Sequence, residues 1–394
     1  MTPHLRIVSS DVVSKGLLVG INLYLIQRLD IDEYAHFTLM LSAVLLGYQL
    51  ACGPLERLYI AEHDRYRAHL TSLRWVLSMV SALGGVLWLW RTSAWSDMLM
   101  LFIGVFVLAA HQTIKIRLQQ RLDFTFFSIA EVLKSAMWAL LLVPFLSLPF
   151  IQPGAAGVLA LILATLLSVA LLRLGGGPRM PGPEDRRPFS EIARVLWDTR
   201  YVLAYSLMGA VVPYLPVMMA EASSSNTVTA TYGAAMRYQA ILGMAVFAFN
   251  TVLLPQMAAL RRDDRDRAQL MQRLKGSAPM VLVIFVAVAA AIWFAIPYVD
   301  GGKYPLLPQI FALLAVTPAL SMISTPYINM LLVDGRAATV FACMAAGLVV
   351  NTAGFALLGS SSESLAPAWA SVLAYLAITL AVVACATVRR RPAA

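Results

Sequence analysis

The sequence predicts an all-α, polytopic membrane protein of about twelve transmembrane helices, and three observations lead there. Of 394 residues 60% are hydrophobic and 13% charged, against roughly 45–50% apolar and about 25% charged in an average soluble domain. The mean hydropathy is +0.74. Apolar runs long enough to cross a bilayer recur along the chain, and basic residues collect in every second interval between them. A crossing helix needs about 20 residues, so the length accommodates a dozen.

Taken in order, the runs fall at 10–27, 34–54, 71–90, 96–114, 125–148 and 155–173, then at 198–219, 229–254, 277–297, 306–332, 337–358 and 364–387. The first lacks the basic, apolar, A-x-A order of a cleaved signal, and Asp11 and Lys15 interrupt it, so this helix is expected to be retained. Cytoplasmic loops carry the Lys and Arg excess. With both termini cytoplasmic, the inner side collects Arg6, Arg57 to Arg74, Lys115, Arg117 and Arg121, Arg173 to Arg200, Arg261 to Lys275, Arg336 and Arg389 to Arg391, and the outer side only Arg28, Arg91 and Lys303. A miscounted span would move every later loop to the wrong side. The net charge of +9 is thereby a topological signal, and no nucleic-acid partner is expected.

The longest polar interval, LGGGPRMPGPEDRRP at 174–188, is rich in Gly, Pro and Arg and reads as a cytoplasmic linker. We therefore expect a bundle at 1–173, a linker at 174–197 and a second bundle at 198–394. Outer intervals are short, with SSSNTVTA near 223–230 and SSSES near 360–364 among the longer ones, which leaves no room for an external catalytic domain. Cys52, Cys343 and Cys385 lie in apolar runs and read as packing residues. There is no G-x-x-x-x-G-K-[ST] phosphate loop and no H-E-x-x-H metal site. Neither ATP hydrolysis nor metal-dependent hydrolysis is supported, no cofactor is expected, and the chain does not read as an enzyme. Energy for any transport has to come from an ion gradient, Na+ or H+, or from supply and removal of the substrate.

The halves echo each other. DEYAHFTLMLSAVLLGYQLACGPLERL in the second helix matches TATYGAAMRYQAILGMAVFAFNTVLLPQM in the eighth, aligning Tyr34 with Tyr232 and bringing Pro54 within a few residues of Pro255. Six-plus-six arrangements with internal repeats are common among transporters.

Further motifs carry a resemblance over nearly the whole length: RLDIDEYAHF at 28–37, GPLERLYI at 53–60, a Y-x-A-A-x-R helix closing in LLP at 232–255, GGKYPLLPQIFALLA at 301–315, and LLVDGRAATVFACMAAGLVVNTAGFALLG at 331–359 with its Asn351. With these the chain resembles the polysaccharide exporter and O-antigen flippase branch of the multidrug, oligosaccharidyl-lipid and polysaccharide transporter superfamily. Asp32 and Ala35 stand where members often have Gly. The resemblance implies a bacterial inner-membrane transporter that moves an undecaprenyl-diphosphate-linked oligosaccharide from the cytoplasmic to the outer leaflet by alternating access. Two pseudo-symmetric six-helix bundles would form a V around a central cavity. Implied partners are membrane lipids and the lipid-linked oligosaccharide, with a polysaccharide polymerase and a chain-length regulator beside them.

Charges inside the spans are the candidate substrate-binding residues, because each costs roughly 2.5–3.5 kcal/mol at the bilayer centre on insertion scales. Arg237 lies about 12 Å into its helix at 1.5 Å per residue, too deep to reach the interface easily. Its planar guanidinium suits phosphate oxygens; the bland alternative is an Arg satisfied by helix-end carbonyls or a carboxylate. Lys134 and Glu131, one turn apart, read either as an ion pair bracing the bundle or as a substrate or proton site. Lys15, near the cytoplasmic end of its helix, reads as a snorkelling side chain or a cavity charge. Tyr205 and Asn250 are candidates for lining a sugar path, although packing and interhelical bonding are the commoner tasks of such residues. Candidate hinges are Gly209, Pro213 and Pro216 of the seventh helix and Gly16 and Gly20 of the first. A cation-coupled exporter of the same superfamily and an integral-membrane polymerase or glycosyltransferase are the competing functions.

Overall fold

The computed structural model describes residues 3–61, 63–90, 94–120, 123–174, 189–223, 225–259, 264–359 and 364–388. Fourteen helices cover them: α1 (Pro3–Arg28), α2 (Ile31–Ala61), α3 (His63–Leu89), α4 (Trp95–Gln120), α5 (Phe124–Leu146), α6 (Pro153–Leu174), α7 (Phe189–Asp198), α8 (Arg200–Val211), α9 (Leu215–Ser223), α10 (Asn226–Ala259), α11 (Asp264–Asp300), α12 (Leu307–Val333), α13 (Ala337–Leu358) and α14 (Ala366–Thr387). Among the described residues nine segments are long and apolar enough to cross a membrane, the α8–α9 pair counting as one. The more polar α1, α3 and α10, at 26, 27 and 34 residues, complete the expected twelve. The protein is a polytopic all-α membrane protein.

Two compact units divide the chain, Met1–Tyr214 and Leu215–Ala394. The division falls within the seventh span and not at the polar interval: α8 packs on α2 of the first unit, and α9 on α10 and α14 of the second. Of the expected linker, residues 175–188 lie outside the described residues, but its last stretch forms α7. Phe189, Ile192 and Leu196 recur in FSEIARVLWD at the spacing of an amphipathic helix. Leu196 packs against the buried Leu55, Leu73 and Ile116. The expected breaks also differ between the halves. The seventh span unwinds into a 3₁₀ turn at Val212–Tyr214, where Pro213 removes a backbone donor and clashes with the preceding turn; α1 runs unbroken through Gly16 and Gly20.

Within unit 1, α2 packs with α3, α4 and α6, and α5 with α1 and α6. Small residues let the backbones approach, the usual device where no solvent drives helices together. A Cβ on Gly47 would come within 2.7 Å of Val105, and one on Gly157 within 2.9 Å of the Phe37 ring. Opposite, Trp138 Nε1 donates to the Gly157 carbonyl at 3.1 Å. The acidic turn before Tyr34 is a capping box: Glu33 N donates to Asp30 Oδ1 at 2.7 Å and Asp30 N to Glu33 Oε2 at 3.0 Å, satisfying two donors that the start of α2 leaves free. In unit 2, α12 packs on α10 and α14, and α14 on α13. The Tyr232 hydroxyl donates to the Ser364 carbonyl and accepts from Ala368 N, both at 3.0 Å, tying the start of α10 to the start of α14. Gly335, at φ 74°, makes the left-handed turn between α12 and α13 that a Cβ would strain.

Candidate functional site

Unit 1 carries a buried group of charges on α4 and α5. Glu131 and Lys134 share a face of α5, three residues apart, with Lys134 Nζ 3.3 Å from Glu131 Oε2, so the pair expected from the sequence forms. The other carboxylate oxygen, Oε1, is held by Lys115 of α4. This residue, assigned above to a loop, is instead helical and directed inward. The three side chains are 15–18% exposed. Glu131 and Lys134 lie seven and ten residues after Phe124, about 10 and 15 Å along α5, and half of a typical hydrocarbon core is about 15 Å.

Neighbouring elements fix this group in place. Ser14 Oγ of α1 donates to the Glu131 carbonyl at 3.2 Å and contacts Ser135 Oγ at 2.8 Å. Lys115 Nζ also sits 5.2 Å from the centroid of the Phe127 ring. One turn before Lys115, the buried His111 has Nε2 3.4 Å from the Ala130 carbonyl. Arg74 of α3, 1% exposed, donates from Nη1 to Thr113 Oγ1 at 2.8 Å, and Arg117 is 3% exposed. Two ammonium groups on one carboxylate leave a surplus positive charge. In a low dielectric such a surplus is costly unless an anion meets it.

Unit 2 places Arg237 on α10, eleven residues after Asn226, about 16 Å along the helix. Its neighbours set its direction. Tyr238 meets Phe311 of α12 edge to face at 6.2 Å, and Gln239 Nε2 donates to the Leu314 carbonyl at 3.1 Å and to Thr317 Oγ1 at 2.6 Å. With those two residues turned onto α12, Arg237 lies at the margin of the packed face, half-buried. Its Nε is buried and has no hydrogen-bond partner among the described residues.

The remaining candidates are more dispersed. Lys15 is half-buried on α1, next to the Ser14 that touches Glu131 and Ser135. Tyr205 is buried on α8, 8% exposed. Asn250 lies on α10, and its side chain is outside the described residues. Gly209 is exposed, and a Cβ there, or at Gly16 or Gly20, would meet nothing within 4 Å. A second charged contact joins α2 to α4 elsewhere, His36 Nε2 to Asp97 Oδ2 at 3.0 Å. Lys115 is the residue that reading the sequence missed. The one available signal was its i, i+4 spacing from His111, which continues the helical register of α4 past the end of the apolar run.

No protein-family model matches the sequence, and no curated protein matches it. Solved structures do. The chain is similar to the lipid II flippase MurJ in an inward closed conformation, with a TM-score of 0.67 at 11% identity over 96% of this chain and 87% of that one. It is similar also to the Vibrio cholerae MATE transporter VcmN, with a TM-score of 0.65 at 13% identity over 98% and 95%, and to a eukaryotic MATE transporter, AtDTX14, at 0.57 and 10% over 98% and 96%. The architecture is therefore an all-α membrane fold already known from solved structures. In particular, it is the fold that the MATE transporters and MurJ share.

Proposed function

We propose that this chain is a flippase that moves an undecaprenyl-diphosphate-linked oligosaccharide from the cytoplasmic to the outer leaflet of a bacterial inner membrane, by alternating access, for lipopolysaccharide, capsule or exopolysaccharide synthesis. The observation that carries the reading is the surplus of positive charge within the spans. Glu131 is shared by Lys115 and Lys134, and in the other unit Arg237 keeps a buried Nε without a partner among the described residues. A guest with a diphosphate supplies the anion these groups lack, and charge-assisted bonds to phosphate are among the stronger hydrogen bonds. The fold suits the task, since one of the similar structures is a lipid II flippase.

The likeness to MATE transporters favours a second reading, a cation-coupled exporter of small molecules. That function needs an intramembrane carboxylate open to a cation, and in Glu131 both oxygens already face ammonium groups. Proteoliposomes separate the two. The purified chain is expected to make a fluorescent undecaprenyl-diphosphate oligosaccharide accessible to a membrane-impermeant quencher from the opposite leaflet, and not to extrude ethidium down a Na+ or H+ gradient. The reverse result discards the flippase.

Orientation belongs to the same proposal. Reporter fusions after Arg187 and after Arg391 are expected to report a cytoplasmic location, and one at Ser224 an external one; all three positions lie outside the described residues. A periplasmic signal at Arg187 overturns this topology.

A further inference from the structure

Two of the three cysteines meet between α13 and α14. Small residues bring these helices together. A Cβ on Gly347 would collide with Ile378 and stand 3.2 Å from the Ala374 carbonyl oxygen, and one on Gly354 would stand 3.5 Å from the Ala370 Cα, so the helices run antiparallel along this seam. Cys343 lies four residues before Gly347 and Cys385 seven after Ile378, spacings that keep each cysteine on the face its helix turns to the other. A Cβ leans toward the N-terminus of its own helix. In an antiparallel pair the two cysteines therefore lean toward each other, and their thiols share a hydrogen bond.

The surroundings hold the two sulfurs in place and leave one of them accessible. Arg336, at the N-cap position of α13, donates from Nη1 to the Cys385 carbonyl at 3.1 Å and ties the start of α13 to the end of α14. Cys343 is 5% exposed. Cys385, two residues before the end of α14, is half-buried and is the sulfur that a small solute reaches first. A buried cysteine by itself packs as a small apolar side chain, which accounts for Cys52, 1% exposed in unit 1. A facing pair has a further chemistry. A disulfide needs Cα atoms about 5.5–6 Å apart, which facing residues of two helices reach only where the helices pack closely, as they do across Gly347 and Gly354.

We propose that Cys343 and Cys385 are a redox modification site, a dithiol that hydrogen peroxide converts reversibly into a disulfide joining α13 to α14 beside Arg336. The sulfur of Cys385 attacks peroxide: an S–O bond forms, the O–O bond breaks, and the departing hydroxide leaves as water with the thiol proton. The sulfur of Cys343 then attacks the sulfenic acid on Cys385. An S–S bond forms, the S–O bond breaks, and a second water carries off the Cys343 proton. In sum two thiols and one peroxide give one disulfide and two waters, the sulfurs being oxidised by two electrons and the peroxide reduced by two. A dithiol reductant reverses the change by exchange. In the topology proposed above this end of the hairpin faces the cytoplasm, where thiols are kept reduced, so the pair rests as a dithiol and responds to peroxide. The site is independent of the flippase reading, since it involves no group assigned to the substrate.

The test is a thiol count on the full chain in proteoliposomes. The protein is treated with hydrogen peroxide, denatured, and labelled with a polyethylene glycol maleimide that shifts its mobility once for every free thiol. The unaltered chain, with three cysteines, is expected to fall from three labels to one, to return to three after dithiothreitol, and to yield on digestion a disulfide-linked peptide joining Cys343 to Cys385. Cys52→Ala is expected to fall from two labels to none. Cys343→Ala is expected to form no linked peptide and to stop at a sulfenic acid on Cys385 that dimedone traps. If that variant fails to fold, the label count and the linked peptide of the unaltered chain still decide. The proposal is overturned if the unaltered chain keeps three labels at a peroxide dose that fully oxidises glutathione in the same sample, if Cys52 is lost together with the other two, or if the linked peptide joins two chains.

Discussion

Replacing Glu131 with Gln is expected to abolish accumulation of the protein in the membrane. The carboxylate is the shared partner of Lys115 and Lys134, whose side chains are 15% and 18% exposed, and its loss leaves two ammonium groups facing each other. Stranding a buried charge costs about 3–5 kcal/mol, a large part of the roughly 5–15 kcal/mol that holds a typical fold together. Lys134→Met is expected to be far milder, because Lys115 still neutralises Glu131. The triple variant Lys115→Met, Glu131→Gln, Lys134→Met is expected to recover abundance, since it buries no net charge, while transport stays lost. Immunoblots of membranes and thermal melts of the purified chain measure the first effect, and leaflet accessibility measures the second. Wild-type abundance of Glu131→Gln, or additive losses across the series, would remove the three-residue coupling. In a two-residue pair, replacing either partner alone would harm more than replacing both; the second lysine makes the series asymmetric.

Arg237→Ala is expected to leave the protein inserted and abundant while flipping falls about ten- to hundredfold, the equivalent of the roughly 1.5–3 kcal/mol that a hydrogen bond to a charged group contributes. Arg237 supports no ion pair in the described structure, and the helix around it is held by Tyr238 and Gln239, so its removal disturbs little packing. Lipid-linked oligosaccharide should then collect on the cytoplasmic leaflet. Arg237→Lys is expected to keep part of the rate, since the charge survives but the planar two-pronged donor does not. Normal flipping by Arg237→Ala at normal abundance removes Arg237 from the substrate path. A chain that fails to accumulate assigns it a structural role.

The sequence by itself determined the class of protein and the positions of its spans. Apolar length and alternating basic loops are one-dimensional signals, since the bilayer sets the first and the asymmetry of charge the second. It also determined that Glu131 and Lys134 meet, because three residues on one helix are neighbours whatever surrounds them. Only the tertiary structure could decide what lies across from a helix. Lys115 joins Glu131 through the packing of α4 on α5, and Ser14 reaches the same residue from α1. The break in the seventh span was legible from Pro213, which lacks a backbone donor and crowds the preceding turn, although Pro144, Pro318 and Pro326 stand inside unbroken helices. The continuity of α1 was not, because glycine permits a bend without requiring one. For the same reason the chain divides at Tyr214 and not in the polar interval before α7: composition marks where a chain leaves the membrane, and packing decides which helices stay together.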